Sequence, residues 1–139
     1  MSNLGTTTAA EFSGAVNGGP KLILRIEGLL VLVVATITYS RFGAGWTMFL
    51  LLFLLPDISI AAYLAGRSVG AAAYNVAHSY SIPIILLAFS TLNSQTLFFS
   101  YALIWLAHVG FDRALGYGLK YGTGFGDTHL GRAGLRKQR

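Results

Sequence analysis

"WTMFLLLFLLPDISIAAYLA" runs from Trp46 to Ala65. It is apolar almost throughout, and its length matches the roughly 20 residues a helix needs to cross a hydrocarbon layer. Backbone groups in lipid must be bonded inside their own segment, so the stretch reads as a transmembrane helix. Its middle holds "PD", Pro56 and Asp57. Proline deletes the bond to the Leu52 carbonyl and predicts a kink, which can open a wet pocket beside the Asp57 carboxylate.

Three more apolar runs flank this one: Leu22 to Tyr39, Gly70 to Phe89, and Thr96 to about Gly110. Short turns at 40–45, 66–69 and 90–95 join them. The expected fold is all-α, an integral membrane four-helix up-down bundle over residues 21–115. Composition agrees, with 54% hydrophobic and 11% charged residues and a mean hydropathy of +0.61. Soluble domains carry about 25% charged residues. Cysteine is absent, which excludes thiolate metal ligands, iron–sulfur clusters and a thiol nucleophile.

The net charge of +5 is not a nucleic-acid footprint, because the basic residues fall between apolar runs or at the C-terminus. Alternating sides places Lys21, Arg25, Arg67, Arg113, Lys120, Arg132, Arg136, Lys137 and Arg139 together and leaves Arg41 opposite. The positive-inside rule then predicts that both termini are cytoplasmic. Residues 1–20 have no basic n-region or apolar h-region, so they read as a mobile tail rather than a signal peptide. Residues 116–139 form a Gly-rich basic tail on the same side, expected to fold back as a flap.

The spans contain Glu27, Asp57, Asn75, His78, His108 and Asp112. At 1.5 Å per residue, all six fall roughly 6–15 Å from the predicted cytoplasmic edge. His108 and Asp112 are i,i+4, and Asn75 and His78 are i,i+3, so each pair shares a helix face. An ionised side chain at such depth costs ~2.5 kcal/mol or more on insertion scales, which makes the layer a functional candidate. His78, His108 and Asp112 are the candidate metal ligands, joined by His129 if the flap reaches them. Asp57 and Glu27 are the candidate base or further ligand, and Asn75 a substrate-orienting amide. Arg113 or Arg67 is the expected partner of Glu27.

This ligand set is all nitrogen and oxygen, which suits Zn, Fe or Mn. Such an ion activates water near neutral pH. The position suits a lipid-like or other apolar substrate, so the expected function is a metal-dependent membrane hydrolase. The alternatives are a haem or other tetrapyrrole site between His78 and His108, a proton-coupled carrier, and a non-catalytic subunit of a membrane complex. No H-E-x-x-H, G-x-S-x-G or P-loop occurs, nor the E-x-x-H of di-iron bundles.

Five blocks in order, "RIEGL", "PDIS", "GAAAYNVAHSY", "HVGFDRALGYGLKY" and "DTHLGR", resemble a family of small bacterial multi-pass membrane proteins known as a domain of unknown function. The resemblance spans roughly Leu22 to Arg132. It implies a bacterial inner-membrane protein of this architecture, alone or in an oligomer or larger complex, and supplies neither a reaction nor site residues.

Overall fold

The computed structural model describes residues 14–132. The N-terminal tail up to residue 13 and the basic residues Arg136, Lys137 and Arg139 lie outside the described part. Helix α1 spans Gly18–Phe42, α2 Trp46–Leu52, α3 Arg67–Ala77, α4 Ser81–Leu92 and α5 Thr96–Leu115. A 3₁₀ segment, Leu55–Ala65, continues α2. The tail ends in a two-stranded antiparallel hairpin, β1 (Asp127–Thr128) and β2 (Gly131–Arg132).

Among the described residues, three helical stretches are long and apolar enough to cross a membrane: Gly18–Phe42, Trp46–Ala65 and Arg67–Leu92. The fourth, α5, has 20 residues but carries His108, Asp112 and Arg113 in its last half. It forms the inside of the molecule. Ala102, Leu103, Ile104, Ala107, His108 and Val109 are all buried on α5, whereas α1 leaves Leu22, Ile26, Leu30 and Val34 exposed. Helices α1, α2 and α4 pack against α5, and α3 packs against the 3₁₀ segment. The most apolar helices therefore present their side chains outward, as lipid rather than water requires.

Two glycines set how closely α1 approaches α5. A Cβ at Gly28 would overlap Arg113 Cβ and lie 2.9 Å from the Gly110 carbonyl oxygen. One at Gly110 would lie 2.7 Å from the Gly28 carbonyl oxygen and the Leu32 amide. Small residues at such a crossing let two backbones approach in lipid, where packing rather than water exclusion drives association.

Prolines break both middle spans. The α-helix stops at Leu52, and Asp57 N–H donates to the Leu54 carbonyl in a 3₁₀ bond of 3.1 Å. Pro83 has the same effect upstream of α4: helix α3 ends at Ala77, and regular structure resumes at Ser81. Freed carbonyls in lipid must find donors elsewhere. The Trp105 indole N–H donates to the Ala77 carbonyl at 2.6 Å, and Arg113 Nη2 donates to the His78 carbonyl at 2.8 Å. The two breaks place Asp57 and His78 in irregular backbone facing α5.

At one end of the bundle, the start of α1, the end of α5 and the tail come together. Arg25 Nε donates to the Ala114 carbonyl at 2.9 Å, Val16 N–H to the His129 carbonyl at 2.8 Å, and Tyr121 Oη to the Gly14 carbonyl at 2.8 Å. Gly116 closes α5 with φ +95°, the left-handed turn that reverses the chain.

Candidate metal centre

Four ligand-type side chains converge where the two helix breaks face α5. Asp57 comes from the 3₁₀ segment, His78 from the α3–α4 break, and His108 and Asp112 from successive turns of α5. Their ligand atoms all lie within 4.8 Å of one another. His78 Nε2 is 3.2 Å from both Asp57 Oδ1 and His108 Nε2, and 3.6 Å from Asp112 Oδ2. His108 Nε2 is 3.5 Å from Asp57 Oδ1 and 3.9 Å from Asp112 Oδ2.

Hydrogen bonds between neutral imidazoles and ionised carboxylates do not account for every short contact in this cluster. His78 Nδ1 lies 3.0 Å from the Tyr74 carbonyl, an acceptor, so Nδ1 carries the proton and Nε2 presents a lone pair. That lone pair faces a carboxylate and a second imidazole. Neutral His108 has a single N–H, so at most one of its short contacts is a hydrogen bond. Most of the separations join acceptor to acceptor, and only a shared cation or added protons can hold them. A tetrahedron with bonds of about 2.1 Å has edges of about 3.4 Å. The observed edges bracket that value.

The surroundings fix the rings. Tyr74 stacks on His78 with centroids 3.7 Å apart, and its hydroxyl donates to Asp112 Oδ2 at 3.3 Å. Phe53 meets His108 edge-on at 5.3 Å. Hydrogen-bonded partners of this kind, the usual supporting shell of a metal site, serve His78 and Asp112, whereas His108 Nδ1 has none among the described residues. Both histidines are essentially buried, while the Asp57 side chain is 39% exposed. Asp57 and Asp112 form the floor of a cavity of about 220 Å³, whose walls include Tyr74, Tyr117, Lys120 and Phe125.

The remaining candidates lie elsewhere. Asn75 clamps the tail: its Oδ1 accepts from Lys120 N–H at 2.6 Å, and its Nδ2 donates to the Lys120 carbonyl at 2.8 Å. Glu27 is exposed on α1, stands outside the cluster, and lines a second cavity of about 360 Å³ with Tyr80, Arg113 and His129. His129 Nδ1 accepts the Leu119 N–H at 2.8 Å, which occupies one ring nitrogen in holding the tail. Burial, reinforced by the charge of Arg113, lowers the His129 pKa from its ordinary value. Among the described residues Arg113 forms no ion pair with Glu27, its expected partner; the guanidinium instead caps the His78 and Tyr117 carbonyls.

Sequence reasoning assigned Lys120 and Arg113 to topology. The signal that would have found Arg113 is Pro83, since a broken span needs a donor from another helix. No local pattern marks Lys120, because its neighbours come from the 3₁₀ segment, α3 and the far side of the tail.

A family described as a domain of unknown function, DUF4260, matches residues 21–133. The chain belongs to this family. The matched region contains all four converging residues and the tail residues Gly118, Lys120, Phe125 and Thr128 that line a cavity with Asp57 and Asp112. Neither a curated protein nor a solved structure matches the chain. The DUF4260 assignment therefore leaves the chemistry to be argued from the site itself.

One alternative meets a geometric obstacle. A tetrapyrrole metal ligated by both histidines needs their nitrogens about 4 Å apart, twice a bond of about 2.0 Å, with the macrocycle between them. The observed 3.2 Å leaves no such gap.

Proposed function

We propose that this DUF4260 chain is a membrane-embedded, metal-dependent hydrolase acting on a lipid or other apolar substrate. The observation that carries the reading is the convergence of Asp57, His78, His108 and Asp112: two imidazoles and two carboxylates with ligand atoms within 4.8 Å of one another, beside a cavity that two of them line. His78, His108 and Asp112 would hold a Zn, Fe or Mn ion with one position left open, and such an ion would supply Lewis acidity and lower the pKa of a bound water. The buried imidazoles and Asp112 hold position, and Tyr74 pins one Asp112 oxygen. Asp57, the most exposed of the four, is placed to take a proton from attacking water and return it to the departing alkoxide. Water's oxygen then ends on the ester carbon or phosphorus, and the alcohol leaves neutral.

The bundle also carries an apolar groove that shares no lining residue with the cavity beside Asp57 and Asp112. This open groove of about 550 Å³, lined by residues such as Val34, Leu87, Phe99 and Leu103, runs along the outer surface between α1, α4 and α5. In the same reading the spans pass up and down through a bacterial inner membrane, with both termini cytoplasmic. The site then lies in the cytoplasmic half, within reach of lipid headgroups.

Elemental analysis of protein purified in detergent without chelators tests the proposal. About one equivalent of zinc, iron or manganese is expected in wild type, with loss in His78→Ala and His108→Ala variants that remain helical. Wild type that stays metal-free after reloading with each of the three ions sinks it.

A further inference from the structure

The cavity above Asp57 and Asp112 contains one buried cation that the ligand cluster does not use. Lys120 is 8% exposed. Its backbone is clamped on both sides by Asn75 and bridged to Thr128, so the side chain starts from a fixed point. Its ammonium lies 3.2 Å from the Phe125 ring centroid, 4.3 Å from that of Tyr74 and 5.4 Å from that of Tyr63. Three aromatic faces thus hold a desolvated charge by cation–π attraction.

Its electrostatic partners are close but not engaged. Lys120 shares the cavity with Asp57 and Asp112, yet among the described residues it forms no ion pair or hydrogen bond through Nζ. An ammonium and two carboxylates lining one small space without pairing leave room between them for a further group. With neutral histidines the cavity carries one net negative charge, from two carboxylates and one ammonium. Filling the ligand cluster with a divalent cation reverses this to one net positive charge. The ammonium is then the uncompensated charge, in a low-dielectric space where it attracts an anion strongly.

We propose that Lys120 and the metal centre together form a binding site for a phosphoryl oxyanion, which names the substrate class of the proposed hydrolase as a phosphate ester. The inference rests on that reading of the four-residue cluster. A phosphoryl group presents several oxygens on a tetrahedral frame, so one can face the Lys120 ammonium while another faces the ligand cluster. Lysine binds such groups as a point charge. Clamps of this type stabilise charge that develops during phosphoryl transfer. Tyr63, Tyr74 and Phe125 act as positioning residues, because they hold the ammonium rather than the ligand.

The test is calorimetric titration of inorganic phosphate into detergent-solubilised wild type, zinc-loaded and zinc-stripped, with zinc content measured on the same samples. Zinc-loaded wild type is expected to bind phosphate roughly tenfold or more tightly than the stripped protein. Lys120→Met is expected to keep its zinc and lose about tenfold or more in phosphate affinity, while Lys120→Arg keeps most of it. Equal phosphate affinity in wild type and Lys120→Met, with zinc present in both, overturns this inference and leaves the metal centre standing. Equal affinity of loaded and stripped wild type also overturns it, a result that needs no variant to fold. Wild type that takes up no zinc, iron or manganese overturns the metal reading and this inference with it. Titration of octyl phosphate identifies the source. Tighter binding than inorganic phosphate points to a membrane lipid headgroup, and equal binding points to a soluble phosphate ester.

Discussion

His78 Nε2 lies 3.2 Å from His108 Nε2, although the two residues are thirty positions apart, one in the α3–α4 break and the other on α5. With His78 Nδ1 committed to the Tyr74 carbonyl, this contact places an imidazole lone pair against a second imidazole, with two carboxylates alongside. Without a cation or added protons, most of the contacts among these four groups join acceptor to acceptor and are held by the fold. That arrangement is what a metal would stabilise.

Metal affinity is expected to depend on Tyr74 as well as on the ligands. Replacing Tyr74 by Phe removes the hydroxyl that donates to Asp112 Oδ2 and leaves the ring stacked on His78. Loss of such a supporting bond typically weakens metal affinity about 10–100-fold. Competition with a chromophoric chelator measures this, and an unchanged affinity would remove Tyr74 from the site.

Arg113 should matter for stability rather than for metal content. Its guanidinium satisfies the His78 and Tyr117 carbonyls, and an orphaned buried acceptor costs about 1–3 kcal/mol. Arg113→Met is expected to lower the thermal midpoint in detergent by several degrees while zinc stoichiometry stays near wild type. A midpoint equal to wild type would mean that water reaches those carbonyls.

The α1–α5 crossing offers a steric test. Gly28→Val or Gly110→Val forces side-chain atoms into backbone at the crossing, and overpacking of this kind costs about 1–3 kcal/mol. Reduced stability is expected in both variants, seen as a lower midpoint of thermal aggregation. Gly19→Ala provides a control, since nothing lies within 4 Å of its added Cβ and its backbone is outside the left-handed region.

Attachment of the tail should weaken in acid. Burial, with the Arg113 charge, lowers the folded-state pKa of His129 below its ordinary value near 6.5. The unfolded or detached tail therefore binds a proton first as pH falls. The stabilising contribution is fully present above about 6.5 and is lost as pH drops through the lower folded value. Protonation also puts a hydrogen on Nδ1, where the Leu119 N–H now donates. Amide exchange around residues 117–131 is expected to quicken at pH 5.5 relative to pH 7.5, corrected for intrinsic rates, and His129→Gln should flatten that difference.

Much of the molecule was legible locally. Length, hydropathy and the scarcity of charge identify the spans, because a lipid environment leaves a chain few backbone options. Pro56 announced the end of α2, since proline cannot donate to the Leu52 carbonyl. The i,i+4 spacing of His108 and Asp112 placed both on one face of α5. Depth counting from the ends of separate spans brought Asp57 and His78 to a similar level.

Level is not position, however, and here the sequence stops. Glu27 lies within a span much as Asp57 does, yet it lines a different cavity and does not join the cluster. Asn75 neighbours His78 on α3, but the returning tail takes its amide. Rotation about a helix axis is set by which small residues meet at a crossing, and the reach of the tail by bonds formed a hundred residues apart. Such terms depend on pairs of distant segments packing at once. The sequence by itself determined which stretches are long and apolar enough to cross a membrane, three of the four expected, and the chemical types available, because length and hydropathy are local. Only tertiary packing decided that Asp57, His78, His108 and Asp112 would converge and that Lys120 would share a cavity with two of them.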